Sequence, residues 1–490
     1  MSIGRALRPE RRDAFAGVAL TALGLVITFA NIRLPIVRNA LVYAKMSVRL
    51  LDGTLRLSDI PSSPYGKGLG FPLLALPFVS AFGPNAGVQI ASAIGTVLFV
   101  AATVIFFRRF GERAGLNRES LELGVVLACF NPLVMYQFWS GYADSLFAAA
   151  FLAALVALDK LIVERTVRAA LLYVAAIYAS MVAKNIGVIL PLTHALYAAF
   201  FLRDVKEILR NRKLLAVLSF LAAALAVAVQ LGRMGLNPTL PLSAQTDEFV
   251  SNVGAIIGFI GPNAKAFGVF VLLSLNVSVS LFFTRSSRRR EVIPLYLASA
   301  GYCATMFAFW GSWFNIRFYF CVLPVLVLGV LPSLLALSPR ARTVALALTL
   351  GVNAILVANY NLPTVYASAP FLNNALEQNP MFSNLRMGEH LNAKADLDRL
   401  NALPPHAAVV LAAEYYQDAA FGIYEQAGLL RPDLDVRFAR LKAGQERIEP
   451  GTHIWFVSAG GTSHDAFVRA FCENWGVQVE PVAGHVYLVR

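Results

Sequence analysis

Apolar residues run through most of this chain in long stretches, without the alternation or one-sided spacing of a soluble domain. A run of about 20 mostly apolar residues crosses roughly 30 Å of bilayer hydrocarbon as a helix. Stretches that reach or approach this length lie at about 14–32, 86–107, 120–139, 145–163, 169–183, 186–202, 214–231, 266–284, 292–311, 318–337 and 343–358. That makes about eleven, with Lys184-Asn185 dividing the run from 169 to 202. The first reads as an anchor, since no small-residue cleavage site follows it.

After residue 358 the pattern shortens. Residues 384–403 have helical periodicity, with Leu385, Leu391, Leu397 and Leu400 among the apolar positions. Runs at 408–412, 454–458 and 486–489 suit short buried strands, and 465–475 reads as a second helix. About 130 residues suffice for an independent core. The pattern thus predicts an α-helical polytopic membrane domain of about eleven transmembrane helices over 1–358, including an outer loop at 33–70. A small extracytoplasmic α/β domain follows over 359–490.

Composition agrees. Of 490 residues, 57% are hydrophobic and 14% charged, against about 25% charged in a soluble domain. An ordinary cytosolic enzyme and a disordered chain are both excluded. The net charge of +13 invites a nucleic-acid partner, but its distribution argues otherwise. Residues 359–490 carry a net −4 and the first 358 a net +17. Twenty-two cations fall on alternate connections, from Arg5, Arg8, Arg11 and Arg12 through Arg108, Arg109, Arg113 and Arg118 to Arg340 and Arg342. With eleven spans all lie on one side, so the positive-inside rule puts the N-terminus in the cytoplasm and the C-terminal domain outside. Cations that rim a membrane slab form no continuous patch, and no nucleic acid is expected.

Candidate metal chemistry is thin. Cys129, Cys303, Cys321 and Cys472 fall singly, without zinc spacing or a disulfide framework. Two Asp-x-Asp triplets, Asp396–Asp398 and Asp433–Asp435, resemble the metal-holding pair of many sugar-nucleotide enzymes. The first lies on an amphipathic helix and the second in a charged turn, so both read as solvated surface. With no dense outward carboxylate cluster, metal independence and no cofactor are expected.

The outer loop breaks the charge rule. It holds Arg33, Arg38, Lys45, Arg49, Arg56 and Lys67 against only Asp52 and Asp59. A basic outer cavity suits a phosphate-bearing substrate; alternatively, a long loop is translocated regardless of its charge and its cations snorkel to headgroups. The loop ends in Tyr65-Gly66-Lys67-Gly68-Leu69-Gly70-Phe71-Pro72, where glycines permit close approach to a ligand and Lys67 offers a point charge. Asp144, Lys184 and Arg317 map to the same outer side, and ionisable groups at membrane depth are functional by default. The plainer reading of Asp144 is a helix cap.

These residues fall into ordered segments that resemble the GT-C superfamily of polytopic glycosyltransferases, particularly the protein mannosyltransferase and lipid A aminoarabinose transferase branch. Tyr43-Ala44 with Leu51-Asp52-Gly53 is similar to the family's stretch after its first helix. The Tyr65–Pro72 segment with Phe82-Gly83, then Asn131-Pro132 and Tyr142-Ala143-Asp144-Ser145-Leu146-Phe147, resemble later family segments. So do Ala183-Lys184-Asn185-Ile186-Gly187 and Arg317-Phe318-Tyr319-Phe320 with Leu323-Pro324.

The resemblance implies a multi-pass inner-membrane enzyme that takes a sugar from a polyprenyl-phosphate-linked donor. It passes the sugar to a lipid, glycan or protein acceptor at the outer face. It further implies that Lys67, Lys184, Arg317 and Arg38 serve the carrier phosphate as it leaves, while a carboxylate takes the acceptor's proton. The sequence departs from the family where that carboxylate usually stands, just after the first helix: here Asn39 follows Arg38. Gly66 replaces another common acidic neighbour. Asp144, then Asp52 and Asp59, remain as candidates, with Asp247 and Glu248 as outsiders. Two other classes stay open: a transporter or flippase for an anionic lipid or glycolipid, and a non-catalytic relative that binds the carrier.

Overall fold

The computed structural model describes residues 15–55, 68–220, 289–310, 319–377, 385–413, 420–439, 448–457 and 464–490. Asp59, Lys67, Arg317, Asp247 and Glu248 lie outside these residues, as do the run expected at 266–284 and most of that at 214–231. The first part is helical: α1 (Phe15–Asn31), α2 (Asn39–Leu51), α3 (Gly70–Phe106), α4 (Arg118–Cys129), α5 (Pro132–Gln137), α6 (Asp144–Glu164), α7 (Val167–Ala183), α8 (Leu190–Ala198) and α9 (Leu202–Arg210). Then come α10 (Arg289–Trp310), α11 (Leu323–Leu335), α12 (Pro339–Asn361), α13 (Pro363–Ser368) and α14 (Pro370–Glu377).

Among the described residues, Gly70–Gly111, Asp144–Glu164 and Pro339–Asn361 are long and apolar enough to cross a membrane. Two exposed faces point the same way. Phe15, Val18, Leu25 and Phe29 form one stripe on α1, and Val344, Leu348 and Ile355 another on α12. Apolar stripes of this length are stable only against hydrocarbon or a partner. By contrast α6 is largely enclosed, packed between α3 and α7. Gly95 makes the α3 contact possible, because a β-carbon there would stand 3.1 Å from Ser145 Oγ.

Expectation and structure differ in several places. The run at 120–139 is not one helix: α4 stops at Cys129, and Asn131 starts α5. Asn131 is extended, its Oδ1 accepts the Val134 N–H at 3.0 Å, and Pro132 takes the first helical turn. That side-chain cap plus proline is a strong start signal, and it overrides the continuous apolar pattern. The segment expected to be an outer loop, in turn, contains a helix of its own, α2.

The C-terminal unit holds α15 (Met387–Asn401), β1 (Ala408–Ala413), α16 (Ala420–Gln426), β2 (Asp435–Ala439), β3 (His453–Val457), α17 (His464–Trp475), β4 (Val479–Ala483) and β5 (Val486–Val489). Its five strands run in the order β2-β1-β3-β5-β4, with β1 parallel to both neighbours and β5 antiparallel to β3 and β4. Strand β1 is apolar on both faces because both are covered. Val410 and Ala412 pack with Phe456, Phe467 and Phe471 beneath α17. Val409 and Leu411 face the opposite way and join Trp455, Phe421 and Tyr424 in the large core that continues into the helical part.

Candidate functional site

The break after α7 places the first functional group. Lys184 ends that helix in an extended conformation (φ −151°, ψ 138°), and a short 3-10 turn, Asn185–Ile189, follows. Its ammonium turns inward and donates to Asp144 Oδ1. Both side chains are buried, 7% and 5% exposed. Asp144 is not the helix cap: Ala143 holds the cap position without a side-chain bond, and Asp144 is the first residue of α6. Two charges 40 residues apart thus neutralise one another where neither meets water, and each has a large desolvation cost without the other.

The Gly-rich segment before α3 converges on the same place. A β-carbon on Gly68 would lie 2.2 Å from the Val182 carbonyl oxygen, and one on Gly70 would lie 2.8 Å from it. These two glycines serve backbone-to-backbone approach to the end of α7. The Tyr142–Asp144 turn is fixed from α3, where Ser92 Oγ donates to Gln137 O (2.5 Å) and to Tyr142 O (3.1 Å). Gly141, at φ 77°, turns the chain between them.

A second cluster joins the segment between α1 and α2 to the C-terminal unit. Arg38 grips Glu389 with two nitrogens, Nε to Oε2 at 2.6 Å and Nη2 to Oε1, and Arg386 donates to Oε1 as well. Burial pushes the Glu389 carboxyl up, but the guanidiniums of Arg386 and Arg38 outweigh it and hold it below the usual carboxylate range. Arg38 sits at φ 54°, ψ −122°, a sparsely populated backbone conformation of the kind that costs about 1–3 kcal/mol.

The residues before Arg38 are pinned. Leu34 O accepts from Asn85 Nδ2 and Gln89 Nε2, both at 3.0 Å, and Ile36 N donates to Asn85 Oδ1 at 2.8 Å. Tyr424 donates to Ile36 O at 2.5 Å. His390, fully buried, lies against Trp139 with ring centroids 4.6 Å apart. Its Nδ1 meets Pro35 O at 2.7 Å and its Nε2 the Tyr136 hydroxyl at 2.9 Å. A carbonyl only accepts, so Nδ1 carries the proton and Nε2 accepts from Tyr136.

Burial pushes the His390 imidazole down to about 4, against the opposing pull of Pro35 O and Glu389. A histidine neutral when folded and ordinary when unfolded adds stability that is complete above about pH 6.5 and lost as pH falls towards 4. The loss is roughly 3 kcal/mol. Melting curves from pH 7 to 4.5 in detergent should therefore fall less steeply for His390→Phe than for the parent; parallel curves would refute this. His464, whose imidazole burial and His485 also push down, is present in both proteins and cancels in the comparison.

Of the other residues singled out in the sequence, Asp52 caps the C-terminus of α2, exposed, at the far end of that helix from Arg38. The Asp-x-Asp triplets divide. Asp398 is exposed and pairs with Lys394, whereas Asp396 is buried, accepting from Trp455 Nε1 and His485 N, each at 3.1 Å. Asp396 is thus a structural anchor between α15 and the sheet, not solvated surface. Asp433 pairs with Arg431. Among the described residues, no group of three or more His, Cys, Asp or Glu could hold a metal ion.

Sequence reasoning missed Asp159 as well as Glu389 and His390. Asp159 is 1% exposed on α6 and accepts from Arg109 (2.6 Å), Arg113 (2.5 Å) and the Tyr197 hydroxyl (2.9 Å). A lone carboxylate inside an apolar run was the available signal. Two of the cations expected from the sequence to mark membrane orientation are therefore its partners.

No protein-family model matches this sequence, and no curated protein does. Solved structures do. ArnT from Cupriavidus metallidurans in the apo state superposes with a TM-score of 0.52 at 16% identity, covering 96% of this chain and 97% of that one. The same protein bound to undecaprenyl phosphate gives 0.51 at 13% identity, with equal coverage. The likeness extends over nearly the whole of both chains, helical part and C-terminal unit together. The likeness is one of fold, that of ArnT.

Proposed function

We propose that this chain is a glycosyltransferase that moves a sugar from a polyprenyl-phosphate-linked donor to a lipid, glycan or protein acceptor at the outer face of the cell's inner membrane. What carries the reading is the buried Asp144–Lys184 pair, set in this fold beside the end of the loop that contains Lys67. Only a strong opposing charge makes two desolvated ions at membrane depth worth keeping. A phosphate and a developing alkoxide are the ligands that such a pair suits.

In the proposed reaction the acceptor hydroxyl oxygen bonds to the sugar's anomeric carbon as that carbon's bond to the carrier phosphate breaks. Lys184, with Lys67 and Arg317, stabilises the negative charge gathering on the leaving phosphate. An ammonium with three N–H donors can serve a phosphate oxygen and Asp144 together. Asp144 holds Lys184 and takes the acceptor's proton, the role left open by Asn39 at the start of α2. Asp52 is exposed at the other end of α2 and is the weaker candidate. The helical part would lie in the membrane with the C-terminal unit outside.

The discriminating experiment is mass spectrometry of envelope glycans and lipids from a deletion strain. A glycosyltransferase leaves one sugar residue missing, restored by the parent gene and not by Lys184→Met. Complete glycans with lipid held on the inner leaflet would overturn the reading in favour of a transporter.

A further inference from the structure

We propose that the first turn of α15 is a clamp on this site, in which Glu389 and His390 are positioning residues that hold the 34–38 segment and the turn carrying Asp144. The inference rests on the glycosyltransferase reading and adds a role for the C-terminal unit within it.

The left-handed backbone of Arg38 (φ 54°) is one that a non-glycine residue keeps only when its surroundings over-determine it. Two of the restraints come from α15: Glu389 takes the guanidinium with both carboxylate oxygens, and His390 takes the Pro35 carbonyl. A third, the bond from Tyr424 to Ile36 O, comes from α16. So the C-terminal unit, together with Asn85 and Gln89 of α3, sets the conformation of a loop in the helical part. Asn39, where the family resemblance places an acid, follows immediately.

The same histidine reaches the other half of the site. Tyr136 donates to its Nε2, and the backbone carbonyl of Tyr136 accepts from Ser140 N at 3.1 Å. Ser92 then ties Gln137 to Tyr142, two residues before Asp144. One imidazole, with its proton fixed on Nδ1, thereby sets the distance between the Arg38 segment and the Asp144 turn. Small errors in such a distance are expensive: displacement by about 1 Å costs roughly 100-fold in rate.

The test compares His390→Phe, which keeps the ring's shape but loses both hydrogen bonds, with His390→Gln, whose amide can donate to Pro35 and accept from Tyr136. The parent and variants are assayed for sugar transfer from polyprenyl-phosphate-linked donors, for binding of a synthetic polyprenyl phosphate, and for amide exchange over residues 34–41. His390→Phe should lower kcat about 10- to 100-fold with KM and carrier binding within about threefold, and should speed exchange at 34–41. His390→Gln should regain most of the kcat. A His390→Phe kcat within about twofold of the parent overturns the clamp, as does a His390→Gln variant as slow as His390→Phe. If His390→Phe does not fold, Glu389→Gln, which is isosteric and partly exposed, must show the same kcat loss and faster exchange. A parent that transfers no sugar from any donor refutes the functional reading instead. Exchange then tests the clamp alone, and unchanged exchange overturns it.

Discussion

Lys184→Met should reduce sugar transfer by roughly 100- to 1000-fold, the cost of removing one charge-stabilising donor from a site closed to water. It should also destabilise the protein by about 3–5 kcal/mol, because Asp144 is left as a buried charge without this partner. The two losses separate in a double substitution. Asp144→Asn with Lys184→Met removes both charges and should recover most of the melting temperature while turnover stays low. Recovery of turnover along with stability would mean that the pair is only a structural bridge. Asp144→Asn alone should lower kcat at least as far as Lys184→Met does, since it removes both the proton acceptor and the group that orients the lysine. Near-parent turnover in Asp144→Asn would move the base elsewhere.

The second large effect concerns the other acid on α6. Arg109→Gln combined with Arg113→Gln should cost about 3–5 kcal/mol, leaving Asp159 buried with Tyr197 as its remaining described donor. Asp159→Asn should cost less, about 1–2 kcal/mol. The arginine side chains are 24% and 33% exposed, and although Arg109 Nη2 is buried their length lets them swing towards water, whereas the Asp159 side chain, 2% exposed, has no such escape. Removing two charges from the partly wet side should thus do more harm than removing the dry one. Melting temperatures in detergent would decide it, and the opposite order would show that the arginines are the desolvated partners.

The division into a helical part and a small mixed C-terminal unit was legible in the residues, because buried helices write themselves into sequence as unbroken apolar length. In the C-terminal unit, β5 and the helix before β4 were readable almost to the residue, since a buried strand and an amphipathic helix each impose their own period. The strand Asp435–Ala439 was not, because its exposed edge carries Asp435 and Arg437 and has no apolar run. Local chemistry also overrode pattern at Asn131-Pro132, which divides a stretch that hydropathy alone reads as a single span. Of the site, Asp144 and Lys184 stood out as ions in apolar surroundings. Their pairing did not, and neither did that of Arg38 with Glu389, 351 residues away. Contacts of that range leave no trace in spacing.

The enclosed helix α6 carries an ion-paired acid near each end, Asp144 in its first turn and Asp159 in its last two. Their separation along the axis is roughly 22 Å, less than the roughly 30 Å thickness of bilayer hydrocarbon. In a helix that spans a membrane, as its length and apolarity allow, the two acids act as marks on a ruler. If the arginines on Asp159 are tethered to one interface, the pair proposed to react stands several ångströms beneath the other, and its depth varies with the thickness of the host membrane. Transfer should then be fastest in thin vesicles and slow as acyl chains lengthen, so lipid composition becomes a control on rate without touching a single residue.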